Sequence, residues 1–322
     1  LVSRFGRLPL AAVLAPAIRL AEEGFPVSPV IAGDWARSAG KLAADLGASA
    51  TFLPDGRPPA AGEWFRNPDL AASLRAISRE GGGLLYGGAL GARIVAGLEA
   101  LGGTIDLDDL RNHGVRWVKP LDVPYGEFRL HELPPAGQGI AALQMLALID
   151  GHDLQALGHN SARYLHLLIE AKKLAYADLA RHVADPGHME VQPAALLADD
   201  YLASRRTLID PAGASERPAP GAFATRSDTV YLCAADADGN MVSLINSLFA
   251  EFGAGVVVPG TGIALQNRGA GFVLEPGHPN RLAPRKRPLH TIIPAFVTRG
   301  GRPWMAFGVM GGPMQPQGQV QV

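Results

Sequence analysis

Only one cysteine is present among the 322 residues of the sequence, and it stands at position 233. A disulfide within the chain is therefore excluded. Cys233 lies inside an apolar run, where a cysteine is more often a small packed residue than a nucleophile. An excess of one charge is also lacking, since the formal net charge is −1, so the sequence does not predict a nucleic-acid or anionic-membrane partner. No apolar run is long enough to predict a helix that spans a bilayer.

The sequence also lacks the spacing of histidine and cysteine residues that is typical of a metal site. The nine histidines are scattered, and none belongs to an H-E-x-x-H pattern or a His/Cys set typical of zinc. One glycine-rich turn, Gly137-Gln138-Gly139-Ile140-Ala141-Ala142, has the G-x-G-x-x-A spacing of a dinucleotide site. Two prolines closely precede it and no second strand–helix–strand unit is evident, so a tight strand-to-helix turn is the simpler interpretation. The sequence therefore predicts neither a metal ion nor another cofactor.

What is present indicates a globular mixture of helices and strands. Hydrophobic residues make up 48% of the chain and charged residues 18%, enough for one large domain or two small ones with a sizeable core. Apolar periodicity and end signals predict helices over about 1–23, 68–80, 88–101, 139–149 and 161–181. Strands are predicted at 115–118, at 127–133 and through most of the chain from 227 to about 309. The intervening stretch Asp210–Ala224, rich in Pro, Gly, Ala and Ser, predicts a mobile loop.

One segment has the clearest chemical pattern. Two β-rich runs, 227–236 and 241–247, flank an Asp-Gly pair, which is typical of a hairpin turn. Thr229 stands at the start of the first run, directly after Asp228. A threonine hydroxyl needs a base beside it to act as a nucleophile. Cutting the chain before Thr229 would create one, because the new α-amine has a pKa of roughly 8. From spacing alone, an ordinary strand residue is the commoner explanation of this threonine.

The sequence as a whole resembles the γ-glutamyltransferase family of N-terminal-nucleophile hydrolases. The matching motifs follow one another in the family's order over nearly the whole chain, which makes the resemblance specific. They are Leu133-Pro-Pro-Ala-Gly-Gln-Gly139, Tyr176-Ala-Asp178, Asp185-Pro186, Asp228-Thr-Val-Tyr-Leu232, Asp236-Ala-Asp-Gly-Asn240, Phe252-Gly-x-Gly255, Pro259-Gly-Thr-Gly262, Lys286-Arg-Pro288 and Gly311-Gly312.

The resemblance implies an α+β fold, a four-layer αββα sandwich in which two packed sheets lie between layers of helices. It also implies self-cleavage between Asp228 and Thr229. Residues 1–228 would form a large-chain portion and residues 229–322 a small-chain portion, together one structural domain. Compared with the family, the first portion looks incomplete at its N-terminus and the second at its C-terminus. The compartment is left open between cytoplasmic and exported.

Catalytic roles follow from the same resemblance. Thr229 would be the nucleophile, with its own α-amine as the base. Ser247 stands where the family has a second hydroxyl that hydrogen-bonds the nucleophile. The backbone N–H groups of Gly311 and Gly312 would form the oxyanion hole, where glycine allows a close approach of the backbone. The acyl group held on Thr229 would pass to water or to an amino-acid or peptide acceptor.

Substrate recognition is where the sequence departs from the family. Gly271 replaces the acid that holds the α-ammonium of a γ-glutamyl group. The neighbouring contacts fall at Phe249 and Arg268, and the pair that holds the α-carboxylate falls at His290 and Thr291. The arginine that clamps this carboxylate would precede the first residue. Because the acid is missing and Arg268 is a nearby cation, we expect a substrate ammonium to be neutral to unfavourable for binding.

Three functions stay open at this point. The first is a γ-glutamyltransferase or glutathione hydrolase in the broad sense. The second is an amidase or acylase of the same fold that acts on glutaryl or cephalosporin-type amides, since the sequence is most similar to the cephalosporin-acylase-type branch. The third is a truncated or unprocessed pseudo-enzyme. An active protein would bind a small-molecule amide or γ-glutamyl substrate and exist as a heterodimer of its two cleavage chains.

Overall fold

The computed structural model describes residues 1–215 and 228–322. Most of the predicted mobile loop, residues 216–224, lies outside the described residues. The chain divides into two compact units, of which the first comprises 1–116 with 251–267 and the second 117–250 with 268–322. These boundaries differ from the expected cleavage point. Cleavage would break one peptide bond and need not coincide with the boundary between two compact units. The division of the chain after Asp228 therefore stays a prediction.

The first unit is mainly helical. Its helices and short strands are α1 (Val2–Phe5), α2 (Leu10–Glu23), β1 (Phe25–Pro26), α3 (Pro29–Ala43), α4 (Leu46–Phe52), β2 (Trp64–Phe65), α5 (Pro68–Glu80), α6 (Ala89–Ala100) and α7 (Leu107–Asn112). The predicted start of α5 is confirmed: the side chain of Asn67 accepts a hydrogen bond from the N–H of Leu70, and proline occupies the first turn.

The core of the first unit is aromatic. The ring of Trp35 in α3 lies edge-on to Phe65, with 4.7 Å between their centroids, and its indole N–H donates to the carbonyl of Phe52 at 2.8 Å. Phe252, from the second segment of this unit, packs against both Trp35 and Phe52. The sequence pattern did not predict α3, because its buried face includes a serine between its two large apolar residues.

The second unit combines a sheet, a hairpin and helices. Its elements are β3 (Leu121–Tyr125), β4 (Phe128–Glu132), α8 (Gly139–Ile149), α9 (Leu154–Leu157), α10 (Ala162–His182), α11 (Asp199–Arg206), β5 (Asp228–Ala235), β6 (Met241–Phe249), β7 (Ala295–Arg299), β8 (Arg302–Phe307) and α12 (Gln315–Gln321). One antiparallel sheet has the order β3-β4-β7-β8, and among the described residues β5 and β6 form a separate two-stranded sheet.

Two strand predictions are wrong. Val115–Val118 forms no strand, and Val115 is 84% exposed. The strand that precedes β4 and pairs with it is β3 instead, and β3 contains Pro124. Because β3 is an edge strand, the missing N–H of a proline is tolerated there. The chain between β6 and β7 is mostly irregular rather than extended, since frequent glycine and proline prevent continuous pairing.

Helix α8 lies at the centre of the second unit. It is apolar on all sides and almost wholly buried, as such a helix must be. It packs against β3 and β4 and against α10, α11 and α12. Its first residue, Gly139, directly follows the Pro134–Gln138 loop, so the buried helix fixes that loop. None of the helices in the described ranges has the length and apolar character that a membrane crossing requires.

Candidate active site

The predicted hairpin is present as β5 and β6. Cys233 pairs with Ser243 and Tyr231 with Ile245, and the chain reverses around Gly239, whose φ is 82°. The register shifts between Asp228 and Val230. Thr229 therefore lies where the pairing of β5 with β6 is irregular. Such an irregularity can change the direction in which a side chain points.

Thr229 and Ser247 meet across this hairpin. The hydroxyl of Thr229 donates to Oγ of Ser247 at 3.3 Å, and Thr229 is 8% exposed. Oγ of Ser247 also accepts from the N–H of Phe249 at 3.0 Å, which orients the serine hydroxyl. The nitrogen of Thr229 within the chain is an amide, so the amine that could act as base would exist only after cleavage.

Gly311 and Gly312 follow β8. Their φ angles are 130° and 55°, in the region that glycine adopts without strain. Within the part of the chain that the structure describes, neither glycine donates its N–H to a protein acceptor. Two adjacent N–H groups of this kind are what an oxyanion site requires. The carbonyl of Gly312 accepts from Nε2 of Gln138 at 2.8 Å, and the same Nε2 donates to the carbonyl of Thr291 at 2.6 Å.

A cavity of about 370 Å³ lies in the second unit. Four of its lining residues belong to the predicted set: Phe249, Gly271, Thr291 and Gly311. The remaining ones were not predicted as site residues: Gln138, Lys172, Tyr176, Leu179, Leu289, Pro313 and Met314. The structure thus brings together β6, the turn that contains Gly271, the segment before β7 and the loop after β8.

Arg268 does not line the cavity but contacts two residues that do. Its guanidinium donates to Oγ1 of Thr291 at 3.1 Å and lies 5.1 Å from the centre of the Phe249 ring. It is 4% exposed, and burial lowers its pKa. Phe249 has a φ of 81°, an unusual conformation for an aromatic residue. Arg268 therefore acts on the cavity by holding Thr291 and Phe249.

His290 also lies outside the cavity lining. Its backbone N–H donates to the carbonyl of Ala136, and its carbonyl accepts from the N–H of Gln138. Its Nδ1–H donates to the carbonyl of Pro288 at 2.6 Å. Burial lowers the pKa of the ring and outweighs the opposing effect of the bond to Pro288, while the charges of Arg268 and Arg287 act in the same direction as burial. The structure places His290 as a backbone support of the Gln138 turn.

Lys172 and Tyr176 line the cavity but were not predicted from the sequence as site residues. Each has a polar group that could contact a ligand. They lie one turn apart on α10, and the Tyr176 hydroxyl donates to the carbonyl of Pro313. Nζ of Lys172 donates to Oε1 of Gln317 at 2.6 Å and lies 5.2 Å from the centre of the Tyr176 ring. Burial lowers the pKa of Lys172. Their four-residue spacing was visible in the sequence, but only tertiary packing decides which face of α10 meets a cavity.

Comparison with known proteins gives a consistent result. The model of a family described as gamma-glutamyltranspeptidase matches residues 1–322. The glutathione hydrolase-like YwrD proenzyme of Bacillus subtilis is 37% identical over 321 residues, covering 100% of this chain and 60% of that protein. The oxamate amidohydrolase proenzyme of Klebsiella pneumoniae is 39% identical over 313 residues, covering 97% and 58%. The crystal structure of cephalosporin acylase from Bacillus halodurans matches with a TM-score of 0.91 at 43% identity, covering 99% and 59%.

The chain therefore belongs to the gamma-glutamyltranspeptidase family, and it spans about 60% of the length of these relatives. The predicted α+β class and the N-terminal-nucleophile hydrolase fold are confirmed by the likeness to the acylase structure.

Proposed function

We propose that this member of the gamma-glutamyltranspeptidase family is an N-terminal-threonine enzyme of the γ-glutamyltransferase and glutathione hydrolase type. It would transfer or hydrolyse an acyl group through an ester on Thr229. The observation that carries the proposal is the 3.3 Å hydrogen bond between Thr229 and Ser247. Ser247 in turn is bonded to Phe249, which lines a cavity that also contains Gly311.

Activation begins with cleavage of the chain. Oγ1 of Thr229 attacks the carbonyl carbon of Asp228, the C–N bond breaks, and the amide becomes an ester with a free α-amine on Thr229. Water then hydrolyses this ester and releases the carboxylate of Asp228. The product has the hydroxyl and its base on one residue, which is the arrangement a threonine nucleophile needs.

Acyl transfer repeats this chemistry on a substrate amide. The α-amine of Thr229 takes the hydroxyl proton while Oγ1 attacks the amide carbonyl. The N–H groups of Gly311 and Gly312 would stabilise the oxyanion, and one such donor can lower a barrier by roughly 3 kcal/mol. The protonated α-amine then gives its proton to the leaving amine. Water or an acceptor amine attacks the ester and restores the free hydroxyl.

The two cleavage products would stay together as a heterodimer. Strands β3 and β4 come from the large-chain portion, and β7 and β8 come from the small-chain portion. These strands form one sheet, with Leu130 opposite Val297 in adjacent strands from the two portions. Gln138 also binds the backbone of Thr291 and Gly312 across the same divide. Separation would break these backbone bonds and expose the apolar sheet.

A second candidate function is an amidase or acylase that acts on glutaryl-type amides. It is favoured by one observation: none of the described residues that line the cavity is an aspartate or a glutamate. A γ-glutamyl group carries an ammonium that needs such a partner, whereas a glutaryl group does not. Relatives named as an oxamate amidohydrolase and a cephalosporin acylase are consistent with this substrate range.

The test uses the protein encoded by the complete gene. Denaturing mass spectrometry of the wild type should show a chain that begins Thr-Val-Tyr-Leu, and Thr229→Ser should still cleave because it keeps a hydroxyl. Thr229→Ala should stay uncut and should hydrolyse neither a γ-glutamyl anilide nor a glutaryl anilide. Cleavage at this bond in Thr229→Ala, or an uncut wild type, would refute the proposal.

A further inference from the structure

The loop that follows β8 is held through its backbone carbonyl groups. The carbonyl of Gly311 accepts a hydrogen bond from the N–H of Met314 at 3.1 Å. The carbonyl of Pro313 accepts from the side-chain hydroxyl of Tyr176, which belongs to α10. The N–H groups of Gly311 and Gly312, which the proposed function assigns to the oxyanion, lie in the same short stretch. The bonds to these carbonyls therefore influence where the two N–H groups point.

Two peptide groups connect Tyr176 to the N–H of Gly312. A peptide group is planar, so its C=O and its N–H turn together. The carbonyl of Pro313 and the N–H of Met314 belong to one such group, and the carbonyl of Gly311 and the N–H of Gly312 belong to another. Because the N–H of Met314 donates to the carbonyl of Gly311, the orientations of the two groups are coupled. The bond from Tyr176 to the first group thus also restrains the direction of the Gly312 N–H.

The surroundings of Tyr176 suit a fixed hydrogen-bond donor. Burial raises the pKa of Tyr176 and outweighs the opposing contact with the backbone N–H of Gln317, so the hydroxyl keeps its proton at neutral pH. Its helix is anchored in the core by neighbouring residues that are buried, namely Leu174, Ala175 and Leu179. The hydroxyl therefore extends from a well-packed helix to the loop after β8.

We propose that Tyr176 is a positioning residue for the oxyanion site, because its hydroxyl holds the peptide group of Pro313 and thereby directs the N–H of Gly312. This inference rests on the proposed acyl transfer by Thr229. Negative charge develops on the substrate oxygen only as the transition state forms, so a donor directed at that oxygen affects turnover rather than substrate binding. Tyr176 also lines the cavity, and a residue that merely shaped the cavity would affect binding instead.

The experiment removes one hydroxyl from the complete gene product. Tyr176→Phe keeps the ring and loses the bond to Pro313. Tyr201→Phe is the matched control, since its hydroxyl donates to Oδ2 of Asp178 at 2.8 Å and it does not line the cavity. We expect Tyr176→Phe to lower kcat and kcat/KM by the same factor, about five- to tenfold, for γ-glutamyl and glutaryl anilides alike. Tyr201→Phe should keep the wild-type kcat. An unchanged kcat in Tyr176→Phe, with or without a higher KM, would overturn the positioning role.

Hydrogen exchange measured by mass spectrometry separates this inference from the proposed function, because it needs no turnover. The peptide that contains Met314 should exchange faster in Tyr176→Phe than in the wild type, since the Pro313–Met314 peptide group is released, but not in Tyr201→Phe. Unchanged exchange in Tyr176→Phe would overturn the role of Tyr176. Faster exchange in Tyr176→Phe, combined with a wild type that hydrolyses neither anilide, would instead refute the proposed acyl transfer and leave Tyr176 as the residue that holds this loop.

Discussion

The two ends of the candidate site are built in different ways. The reaction end, defined as Thr229, Ser247, Gly311 and Gly312, consists of two hydroxyls and two backbone N–H groups. The recognition end, defined as Phe249, Gly271, Thr291 and Lys172, consists of a lining whose charge is set by side chains. Under the proposed function, the same chemistry at the reaction end would serve different acyl groups after few substitutions at the recognition end. The names of the relatives, a glutathione hydrolase-like protein, an oxamate amidohydrolase and a cephalosporin acylase, fit this division.

Gln138 joins the two ends, and its loss should have the largest of the effects considered below. Its Nε2 donates to the carbonyls of Thr291 and Gly312, and it is 1% exposed. Gln138→Leu would remove both hydrogen bonds, although the carbonyl of Gly312 would keep its bond from the N–H of Gln315. The free energy of unfolding should fall by roughly 1–3 kcal/mol. Because Gly312 would lose one of its two bonds, kcat/KM should fall for every acyl donor alike. Chemical denaturation and anilide kinetics would measure these two effects.

Gln144 provides the matched control for Gln138. It is also 1% exposed, and its Nε2 donates to Asp178 at 2.9 Å and to the carbonyl of Leu196 at 3.1 Å, but it does not line the cavity. Gln144→Leu should lose comparable stability while the folded enzyme keeps its kcat/KM. An equal loss of activity in both variants would show that the Gln138 effect is one of general stability.

Gly271 tests whether the recognition end alone sets the preference for an ammonium. Gly271→Asp should shift the kcat/KM ratio toward γ-glutamyl over glutaryl anilide by roughly tenfold, if the new charge pair is worth ~1.4 kcal/mol. A Cβ at this position would lie 3.1 Å from the carbonyl oxygen of Leu289, so a small local shift is required. Gly271→Asn has the same shape without the charge and should leave the ratio unchanged. A hundredfold preference of the wild type for γ-glutamyl anilide would contradict the role given to Gly271.

The sequence predicted the hairpin of β5 and β6 more completely than it predicted the lining of the cavity. The hairpin that aligns Thr229 with Ser247 depends on local signals, an Asp-Gly turn and β-rich runs on either side. The helix that follows Gln138 is likewise set by its own apolar composition. Lys172 could not be predicted as a cavity residue, because its role depends on how α10 packs against α12 and on a cavity between distant segments. The same holds for β3, whose proline is acceptable only because the strand lies at a sheet edge.

Substitution of Ser247 would measure how much kcat depends on the second hydroxyl of the reaction end. Removing this hydroxyl in Ser247→Ala breaks its hydrogen bonds with Thr229 and with the N–H of Phe249. The bond to Thr229 is typically worth about 1 kcal/mol, so its loss should lower kcat about fivefold. Ser243→Ala, on the same strand, removes a hydroxyl that contacts Tyr231 and Phe307 instead and should leave kcat unchanged. Equal kcat values for Ser247→Ala and the wild type would mean that Thr229 is held by its other contacts.

Glu132 lies outside both ends, and its substitution should have the smallest effect on turnover. It is 1% exposed, its carboxylate lies against the start of α8, and burial raises its pKa to about 8, although contacts to Gln319 and to the Leu133 backbone act in the opposite direction. The ordinary value is 4.5, so between these pH values the unfolded chain releases a proton that the folded protein keeps. The contribution of Glu132 to the free energy of unfolding should therefore be highest below pH 4.5, fall as the pH rises to about 8, and stay level above.

Glu132→Gln should remove this dependence, since an amide does not titrate. We expect kcat/KM at pH 6 to match the wild type, while the Tm of the variant rises above that of the wild type by an amount that grows from pH 5 to pH 8. Each kcal/mol corresponds to roughly 2–4 °C in a protein of this size. Glu127→Gln, at an exposed carboxylate paired with Arg299, is the control and should show no such growth. A constant difference in Tm across this range would mean that the Glu132 carboxyl is already ionised in the folded protein, and the raised pKa would be wrong.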